Sequence, residues 1–155
     1  MTYQEYRDKR QAAFNALPVF YAFSDSQLEK EMNKRGLTIE DTDKIAKCWN
    51  GGFYLRSDAQ VIRDFMNAPD ELPELMKDFA FAEDAIYYEM CNHEYAINWQ
   101  ADWDVCSCFG KVEYTEDEDE LDQYFSQLAW TDATRRAYKA ARSRYYRDAR
   151  ENDWI

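Results

Sequence analysis

Helix-start signals recur along this chain and predict that most of it is helical. A Ser or Thr followed three positions later by Glu or Gln forms a capping box. Each side chain then binds a backbone amide that the first helical turn leaves without a partner. Four such pairs precede plausible helices, namely Thr2/Glu5, Ser24/Gln27, Ser57/Gln60 and Thr115/Glu118. We predict a helix after each of them.

Stop signals and apolar spacing predict how far these helices run. The first helix spans about residues 3–16 and stops before Pro18. The second ends at Gly36, since glycine readily adopts the left-handed conformation that terminates a helix. Residues 72–90 are apolar at helical spacing and are predicted to form the central core element. The last helix or pair of helices spans about residues 117–150.

Only one part of the chain shows a clear sheet signal. Two β-prone runs, 45–49 and 53–55, are joined by Asn50-Gly51-Gly52, and Asn-Gly between such runs is the strongest short hairpin signal. Residues 95–99 are either a third strand or a helix end. The predicted fold class is α+β, a mostly helical single domain over residues 1–155 with a small antiparallel β-hairpin or three-stranded sheet.

Charge is sorted along the chain. Residues 1–69 carry ten acids and ten bases, residues 70–122 carry seventeen acids against two lysines, and residues 123–155 carry seven bases and four acids. Aromatic residues make up 17% of the chain, which is too much large apolar surface for a disordered acidic protein. The net charge of −12 argues against binding of nucleic acid or anionic lipid, since phosphates would be repelled.

The densest charge forms what we call the acidic segment, residues 116–122. Its six acids are Glu116, Asp117, Glu118, Asp119, Glu120 and Asp122. Two or three acids suffice to complement a helix dipole, so the surplus requires another cause. Solubility, a bond to the basic C-terminal helix of the same molecule, and a basic partner are the alternatives. On a helix the acids would follow one another at ~1.5 Å per residue, close to the ~1.7 Å per charge of duplex DNA.

Two further groups carry chemistry-bearing side chains. Glu89 and His93 are four residues apart and share a helical face, with Glu94 adjacent, so His93 is a candidate general base or metal ligand. The competing interpretation is a histidine hydrogen-bonded near the core at a helix end. A zinc set of Cys91, His93, Cys106 and Cys108 lacks the usual two-to-four-residue spacing. Buried apolar cysteines explain that pattern more simply.

The Arg/Tyr-rich tail, residues 142–150, has two interpretations. Bases interleaved with aromatics are typical of single-strand binding, but the negative charge of the remaining chain favours an amphipathic helix docked on the body near its own acids. No apolar run approaches the ~20 residues of a membrane span, and residues 1–7 contain no apolar signal core. We therefore expect a cytoplasmic protein with reduced cysteines, without metal or cofactor and without catalytic residues.

Three stretches resemble a family of small uncharacterised proteins of bacteriophages and mobile elements, many from gut bacteria. They are residues 20–27, the turn Asn50-Gly51-Gly52-Phe53, and residues 88–95 with the distinctive Asn-His-Glu-Tyr motif. The resemblance covers roughly residues 18–105 and transfers no catalytic role. It implies a phage-like setting in a host cytoplasm, where small acidic proteins often inhibit defence nucleases.

The predicted function is therefore that of an acidic, non-enzymatic binding protein of phage or mobile-element type. It would engage a basic protein surface, such as that of a nuclease, through the acidic segment and inhibit it by presenting nucleic-acid-like carboxylates. The alternative is a small metal-dependent or acid/base enzyme using Glu89, His93 and Glu94. A third is a homodimer or larger homo-oligomer in which acidic segments meet the Arg-rich tails.

Overall fold

A computed structural model describes residues 1–155 and shows a mostly helical α+β fold with one two-stranded antiparallel sheet. This confirms the predicted fold class. The helices are α1 (Tyr3–Asn15), α2 (Asp25–Lys34), α3 (Ala59–Met66), α4 (Leu72–Leu75), α5 (Phe79–Asn92), α6 (Ala101–Ser107), α7 (Glu120–Gln127) and α8 (Asp132–Glu151). The strands are β1 (Ile45–Lys47) and β2 (Phe53–Leu55). None of the helices combines the length and apolar character that crossing a bilayer requires.

The backbone groups into two compact units, a smaller one of residues 8–69 and a larger one of residues 1–7 and 70–155. The single-domain organisation stays a prediction. In the smaller unit β1 and β2 form the predicted hairpin, with Ile45 opposite Leu55. Gly51 has a φ of +83° at its turn, a conformation that glycine adopts without a steric penalty. Around the hairpin lies a small core of Phe20, Met32 and Ile45.

A third strand does not form at residues 95–99, which make turns after α5. An isolated antiparallel bridge instead joins Phe20 to Phe53 in the smaller unit.

The larger unit is organised by the pairing of α5 with α8. Both helices have a side-chain cap at their N-terminus, since Asp78 accepts a bond from the Phe81 amide at 2.8 Å and Thr131 accepts one from Thr134 at 3.3 Å. Small side chains allow the two helices to approach closely. The fully buried alanines on them are Ala82, Ala85, Ala137, Ala141 and Ala149. Residues 72–90 form part of the core, as predicted, but as two helices. The first helix, α4, ends at Leu75, and Asp78 caps the start of α5.

Two of the four predicted capping boxes mark true helix starts. At α1 the bonds are reciprocal, with the Glu5 amide donating to Thr2 Oγ1 at 3.2 Å and the Thr2 amide donating to Glu5 Oε2 at 2.7 Å. At α2 the Gln27 amide donates to Ser24 Oγ at 3.2 Å. The predicted stop is also confirmed, because Gly36 follows α2 with a φ of +75°.

At the other two pairs the predicted helix follows, but no capping box forms. A 3-10 turn at residues 56–58 precedes α3, and no side chain caps that helix. Thr115 accepts a bond from the Asp117 amide at 3.2 Å and forms a local turn, so α7 begins only at Glu120. The predicted element at residues 117–150 is correspondingly two helices, which separate where Ala129 adopts a φ of +52°.

Candidate functional site

The acidic segment lies between α6 and α8 and is only partly helical. Residues 116–119 precede α7, and Glu120 and Asp122 lie in its first turn. Five of the six acids are exposed and Glu120 is half-buried. A favourable interaction with the helix dipole extends only over the first turn, so it explains two of the six carboxylates.

Buried contacts hold the acidic segment in place. Tyr124 is fully buried, and its hydroxyl donates to the Thr115 carbonyl at 3.0 Å and accepts from the Thr115 amide at 3.2 Å. The side-chain amide of Gln123 donates to Asp117 Oδ2 at 3.0 Å and to Asp119 Oδ1 at 2.8 Å. Hydrogen bonds from Gln123 and Thr115 lower the pKa of Asp117. The segment is thus an ordered array of carboxylates.

No ion pair joins any of the six carboxylates to a Lys or Arg of this chain. Two bases of α8 pair elsewhere, Arg144 with Glu83 at 3.2 Å and Arg147 with Asp148 at 3.1 Å. The Arg144–Glu83 pair joins α8 to α5 and confirms that the Arg-rich tail docks as a helix near acids of its own molecule. The alternative in which α8 neutralises the acidic segment is wrong, since no base of α8 forms an ion pair with it.

A polar cleft of about 220 Å³ opens beside the acidic segment. Trp99, 79% exposed, meets Tyr114 edge to face at 6.4 Å between ring centroids. The Tyr114 hydroxyl donates to Glu116 Oε1 at 2.9 Å. Glu120 also lines the cleft, and burial, followed by the charge of Asp102, raises its pKa. Aromatic faces beside carboxylates are a favourable environment for a guanidinium group.

Tyr124→Phe is expected to lower the free energy of unfolding by about 1–3 kcal/mol, because the Thr115 backbone loses its buried donor and acceptor together. Hydrogen exchange should also accelerate at the Thr115 amide, which Tyr124 protects in the native protein. Tyr114→Phe is the matched control, since its hydroxyl donates to the exposed Glu116 side chain and makes no bond to Thr115. Equal exchange at Thr115 in the two variants would contradict this role of Tyr124.

A second group, which we call the Glu-His-Cys cluster, consists of Glu89, His93 and Cys108. Cys108 Sγ lies 3.3 Å from His93 Nε2 and 3.6 Å from Glu89 Oε2, and His93 Nε2 lies 3.7 Å from the same Glu89 oxygen. Glu89 is on the last turn of α5, His93 follows that helix, and Cys108 follows α6. The three side chains can share one metal ion.

Neighbouring groups orient the Glu89 carboxylate, which is only 6% exposed. The Tyr3 hydroxyl donates to Oε1 at 2.7 Å, and the Asn92 amide donates to Oε2 at 3.3 Å. Burial, followed by the charge of Glu89, raises the pKa of the Cys108 thiol to about 12. Without a cation the thiol is therefore protonated, which disfavours Cys108 as a free nucleophile.

The structure brings together only part of each predicted chemical set. Glu94 is exposed, has a φ of +50° and lies outside the Glu-His-Cys cluster. In the candidate zinc set, Cys91 is exposed, Cys106 is buried, and neither belongs to the cluster, so only His93 and Cys108 come together. The turns after α5 and the short helix α6 bring Cys108 back next to Glu89. The spacing of these residues in the sequence does not predict that contact.

Residues 2–131 match DUF7659, a family of unknown function. The chain belongs to the DUF7659 family. This confirms the expected membership of an uncharacterised family, and the match extends well beyond the resemblance at residues 18–105. It includes the acidic segment as well as the Glu-His-Cys cluster, so both belong to the part of the chain that the DUF7659 family defines. No curated protein and no solved structure matches this chain.

Proposed function

We propose that this DUF7659 protein is a non-enzymatic binding protein that binds a basic protein surface through its acidic segment. The observation that carries the proposal is an ordered set of six carboxylates, five of them exposed, with no basic partner on their own chain. Like charges held close together repel one another, and a cationic partner would relieve that repulsion. The phage or mobile-element setting, and inhibition of a host defence nuclease, are part of this proposal.

The density of the charges favours a surface that normally holds nucleic acid. Residues 116–120 are five consecutive acids, of which four precede α7. Residues 117–119 make a turn in which the Glu120 amide donates to the Asp117 carbonyl at 3.0 Å, so these carboxylates are held close together rather than in line. A crowded anionic surface resembles the dense phosphate charge of nucleic acid in sign and density, without the regular spacing expected from a wholly helical segment.

The neighbouring cleft offers an anchor for the same partner. Trp99 and Tyr114 present aromatic surface beside Glu116 and Glu120. Binding energy at interfaces concentrates in a few aromatic and Arg contacts, and an Arg of the partner would find both a ring face and a carboxylate here. The charges would then steer the encounter, and the cleft would slow dissociation.

The test is charge reversal with a charge-matched control. The variant E116K/E118K/E120K should lose the partner that wild-type protein captures from a host-cell lysate. The control E29K/E40K/E151K changes the net charge by the same amount at exposed positions outside the acidic segment. It should retain the partner.

With the captured partner purified, the E116K/E118K/E120K variant should associate at least about tenfold more slowly at low salt, with a flattened salt dependence. Wild-type protein should also compete with DNA for that partner. Unchanged association by the variant, or equal losses in both variants, would overturn the proposal. Salt-sensitive self-association in light scattering, abolished by the same reversal, would overturn it in favour of the homodimer.

A further inference from the structure

We propose that Glu89, His93 and Cys108 form a binding site for one divalent transition-metal ion, and that zinc fits it best. The site is separate from the acidic segment and does not depend on the proposed function. Its donors are one thiol sulfur, one imidazole nitrogen and one carboxylate oxygen, all within 4.8 Å of one another.

The distances between the donors have the size that a tetrahedral zinc ion requires. Zinc bonds of ~2.3 Å to sulfur and ~2.0–2.2 Å to nitrogen and oxygen place neighbouring ligands about 3.4–3.6 Å apart. The three observed separations are 3.3, 3.6 and 3.7 Å. One ion can therefore contact all three donors with shifts of a few tenths of an ångström, without moving α5 or α6.

The donor chemistry selects the class of ion. Thiolate and imidazole are ligands of zinc and other transition metals, whereas magnesium and calcium prefer sites made entirely of oxygen. On binding, the Cys108 thiol forms a bond to the metal through sulfur and releases its proton to solvent. A thiolate, a carboxylate and a neutral imidazole then balance the two positive charges of the ion. That neutrality matters because Glu89 is buried.

The surroundings supply the outer contacts that metal ligands need. Bonds from Tyr3 to Oε1 and from Asn92 to Oε2 fix the plane of the Glu89 carboxylate, and Oε2 is the oxygen nearest His93 and Cys108. Such contacts orient metal ligands and raise affinity. The His93 side chain is 31% exposed, so an ion can enter from solvent. Three protein ligands leave a fourth tetrahedral position for water or another molecule.

The competing explanation is a hydrogen-bonded cluster without metal, and titration separates the two. Protein stripped of metal by a chelator under reducing conditions is titrated with cobalt(II) and with zinc. We expect one equivalent of cobalt to bind with the visible bands of tetrahedral geometry and the near-ultraviolet band of a thiolate ligand. Zinc should displace it. Substoichiometric binding, or octahedral cobalt without the thiolate band, would overturn the proposal.

Variants assign the ligands. Cys108→Ser should abolish the thiolate band and weaken zinc binding at least about 100-fold, and His93→Gln should weaken it comparably. Cys91→Ser and Glu94→Gln are matched controls, because these exposed neighbours lie outside the cluster. The variant E116K/E118K/E120K must also keep the cobalt spectrum, which excludes adventitious binding at the acidic segment. An unchanged cobalt spectrum in Cys108→Ser, or an equal loss of zinc affinity in the control variants, would overturn the assignment of the ligands.

Two conservative Tyr→Phe substitutions test the site without removing a ligand or disturbing the fold. Tyr3→Phe removes the hydroxyl that orients Glu89 and should weaken zinc binding about tenfold. Tyr6→Phe removes a hydroxyl that donates to Asp70 at 2.9 Å, away from the cluster, and should leave affinity unchanged. Circular dichroism at each titration temperature verifies that the variants are folded. Equal affinity of wild type and Tyr3→Phe would contradict the positioning role of Tyr3.

Discussion

Asp102→Ala is expected to lower the free energy of unfolding by about 3–5 kcal/mol. Asp102 Oδ1 accepts a bond from the Tyr95 hydroxyl at 2.5 Å and a second, short bond from the Tyr138 hydroxyl. Burial raises the pKa of both phenols, so both stay protonated and donate. A hydrogen bond to a carboxylate contributes about 1.5–3 kcal/mol, and removing Asp102 takes this acceptor from both buried hydroxyls. Urea denaturation with an unchanged m-value measures the loss.

A cycle with Tyr95→Phe and Tyr138→Phe isolates the cause of that loss. When both hydroxyls are absent, Asp102→Ala should cost at most about 1 kcal/mol, because no buried donor depends on the carboxylate any longer. If Asp102→Ala costs the same in both backgrounds, the hydrogen bonds are not what Asp102 contributes to stability.

The parts of the fold that the sequence predicts are those specified by neighbours along the chain. The hairpin follows from Asn50-Gly51, since a tight turn with positive φ requires such residues and fixes the pairing of its two strands. The starts of α1 and α2 follow from Thr2 and Ser24, whose side chains bind amides three residues away. These interactions need no tertiary contact to form.

At Thr115 a tertiary contact overrides the local capping motif. Thr115 has the capping pattern, but its own backbone is bound by the buried Tyr124 hydroxyl, and its side chain closes a turn at Asp117 instead. The helix start then moves to Glu120, where no side chain caps it. Because packing energies exceed the ~1 kcal/mol of a typical cap, a capping motif alone does not decide the boundary.

In the candidate sites, too, the features set by neighbouring residues are predictable and those set by tertiary contacts are not. The acidic segment is predictable because its six acids are contiguous, whereas the cleft of Trp99, Tyr114 and Glu120 exists only once α6 and α7 are in place. The Glu-His-Cys cluster is half predictable. The helical spacing of Glu89 and His93 pairs them, but Cys108 joins from another element, and the adjacent Glu94 turns away in a left-handed conformation.

Phe125→Ala is expected to lower the free energy of unfolding by about 3–5 kcal/mol, the usual cost of truncating a buried Phe. Phe125 is 1% exposed, and its ring centroid lies 5.2 Å from that of Trp130 and 5.2 Å from that of Tyr138. The substitution removes both aromatic contacts and leaves a cavity under α7. Phe23→Ala is the matched control. Phe23 is 89% exposed, so its truncation should change stability by no more than about 0.5 kcal/mol.

Phe125→Ala also distinguishes the effect of stability on partner binding from the effect of the negative charge at α7. Phe125→Ala alters no charged residue, so at temperatures where the variant is folded, partner association should keep the wild-type salt dependence. E116K/E118K/E120K should do the opposite, flattening the salt dependence with little loss of stability, since repulsion among neighbouring acids is relieved. Stability comes from thermal unfolding and the salt slope from association rates. A flattened slope in folded Phe125→Ala would show that the partner recognises the shape of α7 rather than its carboxylates.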